Sequence, residues 1–268
     1  MIESISPVQS SLKPLLKWAG GKRWLLPQLL ELWQSNQKCR LVEPFMGGLS
    51  VSLGLRPDQA LLNDANIHLV NLYHQLQQGL IVSIEMKNDR EFYYELRARF
   101  NQLTKIGESQ TSEAAQIFYY LNRTCFNGLC RMNNSGEFNV PFSGYKTVNY
   151  LTNFDAYKTP LQAWNIKCGD FEQLELEPDD FIYADPPYDV PFTKYSKEDF
   201  TWEDQIRLAQ WLLRHPGKVV VSNQATDRVI SLYKDSGFTI KIIEAPRRIS
   251  CNGDRRPVRE IIACRGFE

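Results

Sequence analysis

The sequence predicts an α/β protein, in which a mainly parallel sheet carries a helical and β-hairpin insertion. Short apolar segments alternate with helical stretches over residues 41–78, and the alternation resumes after residue 164. Such βαβ alternation is typical of a parallel sheet covered by helices. Between these two parts, residues 90–121 have apolar side chains at helical spacing, and residues 126–145 contain the turn-forming pairs Asn127-Gly128 and Ser135-Gly136.

The elements follow one another in a regular order along the chain. Predicted strands cover residues 41–44, 60–64, 165–168, 181–184, 218–222, 239–245 and 258–264, and predicted helices begin near residue 50 and cover 67–78 and 202–213. A basic loop joins the last two strands. Because residues 85–160 contribute no predicted strand to the parallel sheet, we expect 1–84 and 161–268 to form the sheet domain and 85–160 to form the insertion.

The composition is that of an ordinary folded protein. The 268 residues are 43% hydrophobic and 23% charged. No apolar run approaches the length of about 20 residues that a membrane span needs, and Met1-Ile2-Glu3-Ser4 lacks the pattern of an export signal. The six cysteines include no Cys-x-x-Cys pair, and the three histidines lie in unrelated contexts. We therefore expect a cytoplasmic protein with reduced thiols, no metal site and no membrane contact.

The charge is balanced overall but unevenly distributed. The formal net charge is zero, which argues mildly against nucleic-acid binding, since DNA-binding domains are usually basic. Basic residues nevertheless collect near the two ends of the chain, at Lys13, Lys17, Lys22 and Arg23 and at Arg247, Arg248, Arg255, Arg256 and Arg259. One basic cleft is compatible with an enzyme that visits DNA transiently.

The segment Asp185-Pro186-Pro187-Tyr188 is the most informative part of the sequence. It follows an apolar run, and two successive prolines must end a central strand because neither has a ladder N–H. The segment presents a carboxylate, a proline carbonyl and an aromatic face, which together suit the exocyclic amine of a planar base. On the tetrapeptide alone, an ordinary strand followed by a Pro-Pro turn remains the alternative.

Other predicted strand ends carry groups that a nucleoside needs. Ligands of open α/β sheets bind outside the carboxyl ends of the strands. Glu43 to Gly48, which includes Phe45 and Gly47, forms a glycine turn entering a helix, and Asp64 offers a carboxylate for ribose hydroxyls. Asp170 and Phe171 could bracket an adenine. Each feature alone could be a strand-end cap or a core residue, but the ordered set predicts a nucleoside cofactor site.

The N-terminal stretch Lys17-Trp18-Ala19-Gly20-Gly21-Lys22 adds an aromatic ring, a flexible backbone and two lysines to this set. An ordinary turn with solvated lysines is the alternative for this stretch. The stretch 191–196 after the tetrapeptide could close over a bound base or serve as a connecting loop.

These motifs resemble the Dam-type DNA adenine-N6 methyltransferases, the D12 class of the alpha group of amino-methyltransferases. The resemblance rests on 17–22, 43–48, 185–188 and the middle segments 121–133 and 136–142, all in the family's order, and on Arg248 to Gly253 near the end. It covers nearly the whole chain. It implies a Rossmann-like methyltransferase sheet that binds S-adenosyl-L-methionine, with a DNA-recognition insertion. Leu49 departs from the family, which usually has a glycine there.

The resemblance also implies roles for single residues. Asp185 and the Pro186 carbonyl would accept the two hydrogens of adenine N6, and Tyr188 would stack on an adenine flipped out of the duplex. The cofactor contacts would come from Trp18, Lys22, Asp64 and Asp185, with Asp170 and Phe171 near its adenine; Glu43, Phe45 and Gly47 complete our candidates. The DNA contacts would come from Lys17, Phe126, Leu129, Arg131, Asn133 and Pro141, and the implied site is GATC.

For several of these residues, packing is an alternative role. Phe126 and Leu129 could simply pack the insertion, and Arg131 could contact a phosphate. The expected partner is double-stranded DNA, and we expect a monomer with no obligate protein partner. Other possible functions are methylation of cytosine N4, RNA or protein glutamine, and non-catalytic DNA binding. Whether the protein accompanies a restriction nuclease is left open.

Overall fold

The computed structural model describes residues 12–189, 200–246 and 258–267. Its strands are β1 (Leu41–Glu43), β2 (Ala60–Asp64), β3 (Trp164–Cys168), β4 (Phe181–Ala184), β5 (Lys218–Gln224), β6 (Thr239–Ala245) and β7 (Val258–Arg265). Its helices are α1 (Leu26–Trp33), α2 (Ser52–Leu55), α3 (Ile67–Gln77), α4 (Arg90–Lys105), α5 (Ser112–Thr124), α6 (Asp155–Gln162), α7 (Trp202–Leu213) and α8 (Asp227–Asp235).

The seven strands form a single sheet in the order β3-β2-β1-β4-β5-β7-β6. Strands β3, β2, β1, β4 and β5 run parallel, and β7 lies antiparallel between β5 and β6. This confirms the predicted α/β class with a mainly parallel, Rossmann-like sheet. The chain order reverses between β1 and β4, so ligands are expected outside the carboxyl ends of these two strands.

Local chemistry explains where the elements begin and end. Helix α7 spans the predicted residues because a capping box between Thr201 and Asp204 satisfies its first amides. Strand β1 ends at Glu43, since Pro44 has no N–H for the ladder. The helix predicted near residue 50 is the single turn α2. Helices α1, α6 and α8 were not predicted, and α6 contains Pro160, which normally argues against a helix.

The sheet packs helices on both faces. One face buries Val42, Ile182 and Val221 together with side chains of α7 and α8. The other face shares a continuous core with α4 and α5, including Phe100 and Phe118. Helix α3 makes the connection, since it packs against α5 on one side and against β2 and β3 on the other. The division into a sheet domain and an insertion at 85–160 stays a prediction.

A hairpin follows α5, as predicted for 126–145. Antiparallel bridges join Met132 to Phe138 and Cys125 to Phe142. The backbone amide of Asn139 donates a hydrogen bond to the Arg131 carbonyl, with a nitrogen–oxygen distance of 3.2 Å. These contacts define a hairpin over residues 125–142, which we call the recognition hairpin after its predicted role.

The described residues contain no helix that is long and apolar enough to span a membrane. In the same three ranges, no group of three or more His, Cys, Asp or Glu side chains could hold a metal ion, and the cysteines there are all free thiols. The basic residues Arg247, Arg248, Arg255 and Arg256, the family-like stretch 248–253 and the loop at 191–196 lie outside the described residues.

Candidate active site

The carboxylate of Asp185 lies at the switch point of the sheet, directly after β4. The two prolines that follow end the strand and direct the chain away from the sheet. Two groups anchor this carboxylate: the Lys22 ammonium is 2.9 Å from Oδ2, and the Ser222 hydroxyl donates to Oδ1 at 2.8 Å. The Asp185 side chain remains 19% exposed. It is therefore held by the protein and still accessible to a ligand.

The two proline carbonyls next to Asp185 differ in their partners. The Pro187 carbonyl accepts a hydrogen bond of 2.8 Å from the buried amide of Gln205, which itself accepts from Asn223. Within the part of the chain that the structure describes, no donor reaches the Pro186 carbonyl. Asp185 and Pro186 thus offer two hydrogen-bond acceptors side by side.

Tyr188 places an aromatic ring beside these acceptors. The Lys22 ammonium lies 4.9 Å from the ring centroid, and the buried hydroxyl faces the Glu260 carboxyl group on β7. Burial, together with the negative charges of Asp185 and Glu260, raises the pKa of Tyr188 far above its usual range. Burial also raises the pKa of Glu260, an effect that the charge of Lys22 opposes. Tyr188 is therefore a neutral aromatic platform beside the two acceptors.

The N-terminal motif packs against the glycine turn. A Cβ on Gly47 would lie 2.9 Å from Trp18 Nε1, and a Cβ on Gly48 would lie 2.9 Å from Trp18 Cβ. Only glycine lets the Trp18 ring approach the turn this closely. Lys22, which is 2% exposed, also donates to the Gly20 carbonyl at 2.9 Å. Trp18, Lys22 and Gly47 are thus brought together, as the sequence predicts for a common site.

Asp64 and Glu43 end neighbouring strands but have different surroundings. The Asp64 carboxylate accepts from the Gly47 amide at 3.0 Å and from the Asn66 amide at 2.9 Å. The Glu43 side chain is buried below the glycine turn, where it accepts from the Ser52 hydroxyl. Burial raises the pKa of Glu43 to about 8. Glu43 therefore faces α2, whereas Asp64 is half-buried at the end of β2.

Phe45, Asp170 and Phe171 lie together beside α7. The Phe45 and Phe171 rings are 5.6 Å apart, and Phe171 is buried. Arg207 binds both oxygens of Asp170 at 2.8 Å and lies 4.5 Å from the Phe171 ring centroid. The hydrogen bonds from Arg207 lower the pKa of Asp170. This carboxylate is therefore already paired, and its contact with a cofactor adenine stays a prediction.

The predicted DNA-contacting residues lie on or beside the recognition hairpin. Phe126 is 49% exposed, and Pro141 is also exposed. Leu129 is half-buried against the core. Arg131 donates through Nε to the Asn139 amide oxygen at 2.7 Å. The Asn133 side chain instead closes the hairpin turn, since its oxygen accepts from backbone amides of that turn.

Asn122 fastens the recognition hairpin to the N-terminal motif. Its side-chain oxygen accepts from the Lys17 amide at 2.9 Å, and its side-chain nitrogen donates to the Lys17 carbonyl at 2.8 Å and to the Gly128 carbonyl at 3.1 Å. The Lys17 ammonium lies 3.7 Å from the centroid of the Tyr145 ring. Lys17 therefore lies between the predicted cofactor site and the predicted DNA surface.

The sequence reasoning missed three residues of this candidate site: Ser222, Glu260 and Asn122. A signal for Ser222 existed, because Ser222 and Asn223 interrupt the apolar run Val219 to Val221 at the carboxyl end of a strand. That is the signal by which Asp64 and Asp185 were found. Glu260 and Asn122 carry no comparable local signal, since their roles depend on contacts far apart in the chain.

Fold and site together place the chain among the Rossmann-like α/β methyltransferases. A family model of the D12 class N6 adenine-specific DNA methyltransferases matches residues 18–249. The chain belongs to this family, which confirms the resemblance that its motifs indicated, and it is an adenine-specific DNA methyltransferase. Membership favours this activity over methylation of cytosine, RNA or protein glutamine and over a non-catalytic DNA-binding module.

Several characterised proteins are similar to this chain. The Type II methyltransferase M1.LlaDCHI of Lactococcus lactis subsp. cremoris is 36% identical, with 94% of this chain and 95% of that protein covered. The DNA adenine methylase of Escherichia coli (strain K12) is 33% identical, with 94% of each chain covered. The DNA N-6-adenine-methyltransferase of Escherichia phage P1 is 36% identical over 95% of this chain, which spans 35% of that protein.

Among solved structures, the precorrin-6y C5,15-methyltransferase of Geobacter metallireducens GS-15 follows a similar chain path. It is 10% identical, with a TM-score of 0.40 over 90% of this chain and 86% of that chain. This similarity is too weak to bear on function.

Proposed function

We propose that the protein transfers the methyl group of S-adenosyl-L-methionine to N6 of the adenine in GATC sites of double-stranded DNA, after flipping that adenine out of the duplex. The observation that carries this proposal is the pair of acceptors at Asp185 and Pro186 beside the Tyr188 ring. An exocyclic amine has two N–H bonds to donate, and its base has a flat face to stack.

The acceptors act by favouring the transition state. The N6 lone pair of adenine is delocalised into the ring, which makes the amine a poor nucleophile. When Asp185 and the Pro186 carbonyl each accept one N6 hydrogen, they stabilise a tetrahedral nitrogen more than a planar one. Asp185 need not be a strong base, since N6 becomes acidic as the new bond forms.

The residues at the strand ends fit S-adenosyl-L-methionine. Asp64 ends β2 and Asp185 directly follows β4, so the two carboxylates lie on the two sides of the glycine turn after β1. Carboxylates at these positions suit a ligand with ribose hydroxyls and a positive charge. When bound, this cofactor would supply an electrophilic methyl group on its sulfonium. Trp18 and Phe171 would flank it, and Lys22 would hold Asp185 rather than the cofactor.

The recognition hairpin supports the choice of duplex DNA. Flipping a base costs a few kcal/mol in stacking and pairing, and Tyr188 would recover part of this cost. The exposed Phe126 could fill the vacated stack. Arg131 is held through Nε by Asn139, which leaves its terminal nitrogens for the O6 and N7 atoms of a guanine. Leu129 would contact a thymine methyl group, while Lys17, Asn133 and Pro141 complete the surface.

We propose that the protein works in the cytoplasm as a monomer. The cysteines in the described ranges are free thiols, which suits a reducing compartment.

Methyl transfer to defined duplexes tests the proposal. We expect labelled S-adenosyl-L-methionine to methylate a GATC duplex. Duplexes with either flanking guanine or cytosine replaced should react about 5- to 150-fold more slowly, since one mismatched pair costs roughly 1–3 kcal/mol. Asp185→Ala should abolish transfer, and Asp235→Ala, which removes an exposed aspartate at the end of α8, should not. Equal rates on all duplexes would refute the GATC assignment, and an active Asp185→Ala would refute the assignment of the site.

A further inference from the structure

Two hydroxyl groups lie in line behind the proposed catalytic carboxylate. The Tyr183 and Ser222 oxygens are 2.7 Å apart, and Ser222 donates to Asp185 Oδ1 at 2.8 Å. Tyr183 and Ser222 are both 1% exposed, so bulk water does not compete for these bonds. Neither residue is among the groups that the proposed function uses.

The register of the sheet explains this alignment. Tyr183 pairs with Val220 and Ala184 pairs with Val221, so Ser222 stands beside Asp185 on the next strand. Side chains alternate between the faces of a strand, which puts Tyr183 and Asp185 on one face of β4. Ser222 lies on the same face of β5, because it is two residues beyond Val220.

The direction of the hydrogen bonds is fixed by counting protons. The Ser222 hydroxyl has one proton, which it gives to Asp185, so the bond to Tyr183 must use the tyrosine proton. Burial raises the pKa of Tyr183 well above its usual range, so this phenol keeps its proton. The bonds therefore run from Tyr183 to Ser222 and from Ser222 to Asp185.

The chain of hydroxyls ends in the protein core, so it cannot carry a proton to solvent. Its effect is geometric. The terminal torsion of an aspartate is broad and has no strong preference of its own. Ser222 on Oδ1 and Lys22 on Oδ2 fix the plane of the carboxylate by its two oxygens. Each oxygen keeps a further lone pair for a ligand.

We infer that Tyr183 and Ser222 are positioning residues for methyl transfer, which hold the Asp185 carboxylate in the plane that accepts the N6 hydrogen. This inference rests on the proposed role of Asp185. A misplacement of about 1 Å at a reacting group can cost about 100-fold in rate, so the carboxylate plane matters for turnover more than for binding.

The test compares turnover with binding in single and double variants. We expect Ser222→Ala to lower kcat on adenine-containing duplex DNA by about 10- to 100-fold, with the affinity for S-adenosyl-L-methionine by calorimetry and the KM for DNA within about threefold of wild type. Ser222→Thr keeps the hydroxyl and should restore most of the kcat. Tyr183→Phe should lower kcat by a smaller factor, and the double variant should be no slower than Ser222→Ala, since Tyr183 acts only through Ser222.

Tyr120→Phe is the matched control. It removes the buried hydroxyl of a tyrosine on α5, outside the sheet, where that hydroxyl donates to the Lys87 carbonyl at 2.8 Å. We expect it to lower the melting temperature without a change in kcat. If Ser222→Ala fails to fold, the kcat values of Tyr183→Phe and Ser222→Thr are compared with that of the wild type instead.

The inference is overturned if Ser222→Ala stays within about twofold of wild-type kcat, if its loss lies wholly in binding, or if the Tyr183→Phe and Ser222→Ala losses multiply in the double variant. Asp185→Ala, measured in parallel, separates the two ideas. An active Asp185→Ala refutes the role of Asp185 and this inference with it. An inactive Asp185→Ala beside a fully active Ser222→Ala refutes the inference alone.

Discussion

Leu49 holds a backbone conformation that its side chain disfavours. Its φ is 59°, in the left-handed region, and its side chain is fully buried. This conformation costs a residue with a Cβ atom roughly 1–2 kcal/mol, whereas its cost for glycine is small. The glycine that the resemblance leads us to expect here would lack this strain. Leu49 therefore combines a strained backbone with a buried side chain at the glycine turn.

Two substitutions at Leu49 separate these effects. Leu49→Gly and Leu49→Ala both remove the buried side chain, but only alanine keeps the strain. We expect the glycine variant to be the more stable by about 1 kcal/mol in free energy of unfolding, measured with urea. The same pair at Leu53, within α2, should show the opposite order, because glycine is the poorer helix former. An alanine variant at Leu49 as stable as the glycine variant would contradict the strain.

Glu43 predicts a pH dependence of stability. Burial raises its folded-state pKa to about 8 from the ordinary 4.5, so the folded protein keeps a proton that the unfolded chain releases above about pH 4.5. The stability contributed by this proton is complete below the unfolded pKa and is lost as the pH rises through the folded pKa. Wild-type stability should therefore fall between about pH 5 and pH 8.

Glu43→Gln lacks this titration. The difference in free energy of unfolding, Glu43→Gln minus wild type, should rise by up to roughly 1.4 kcal/mol for each pH unit between about pH 5 and pH 8. Urea unfolding at a series of pH values measures this difference. Stability curves that run parallel for the two proteins would exclude a raised pKa at Glu43.

At the scale of elements, the recognition hairpin meets the N-terminal motif at Gly128. The φ of Gly128 is +65°, and a methyl group there would collide with the Lys17 side chain. Asn122 binds the backbone of both residues. The hairpin and the segment that carries Trp18 and Lys22 are therefore in direct contact at a point that tolerates no added atom.

Gly128→Ala should displace this contact. We expect kcat/KM for duplex DNA to fall by about 10-fold or more, because a shift of about 1 Å in a positioning element has effects of this size. Gly107→Ala is the control, since its φ of +81° imposes the same kind of strain but a methyl group there meets nothing within 4 Å. Equal losses in the two variants would mean that strain, and not the contact with Lys17, is responsible.

At the scale of the whole molecule, the strands of the sheet could be predicted from the sequence because they are short apolar runs between turns. The alternation of β1, β2, β4 and β5 with helices sufficed for the parallel arrangement. Helix α6 was missed because Pro160 removes a helical N–H and its amphipathic pattern is short. The antiparallel position of β7 depends on pairing with β5, which no local pattern encodes.

The site was predictable to the extent that its groups stand at strand ends. Asp64 and Asp185 were found in this way. The orientation of the Glu43 side chain was not predictable, because all three residues of β1 are buried and their pattern shows no alternation between the two faces. The pairing of Lys22 with Asp185 joins residues far apart in the chain, and sequence reasoning placed the lysine nearby without its partner.

Lys17 and Lys22 are fixed at opposite ends of one short segment. Lys17 is bound by Asn122 on α5, and Lys22 is bound by Asp185 after β4. A chimera that exchanges only residues 85–160 between two such enzymes would therefore keep this contact only where the donor also supplies an asparagine at position 122 and a glycine at position 128. An exchange of the hairpin between two such enzymes should therefore include residues 12–25. The contacts at both ends of this segment, with the hairpin and with the carboxylate of Asp185, then come from one parent.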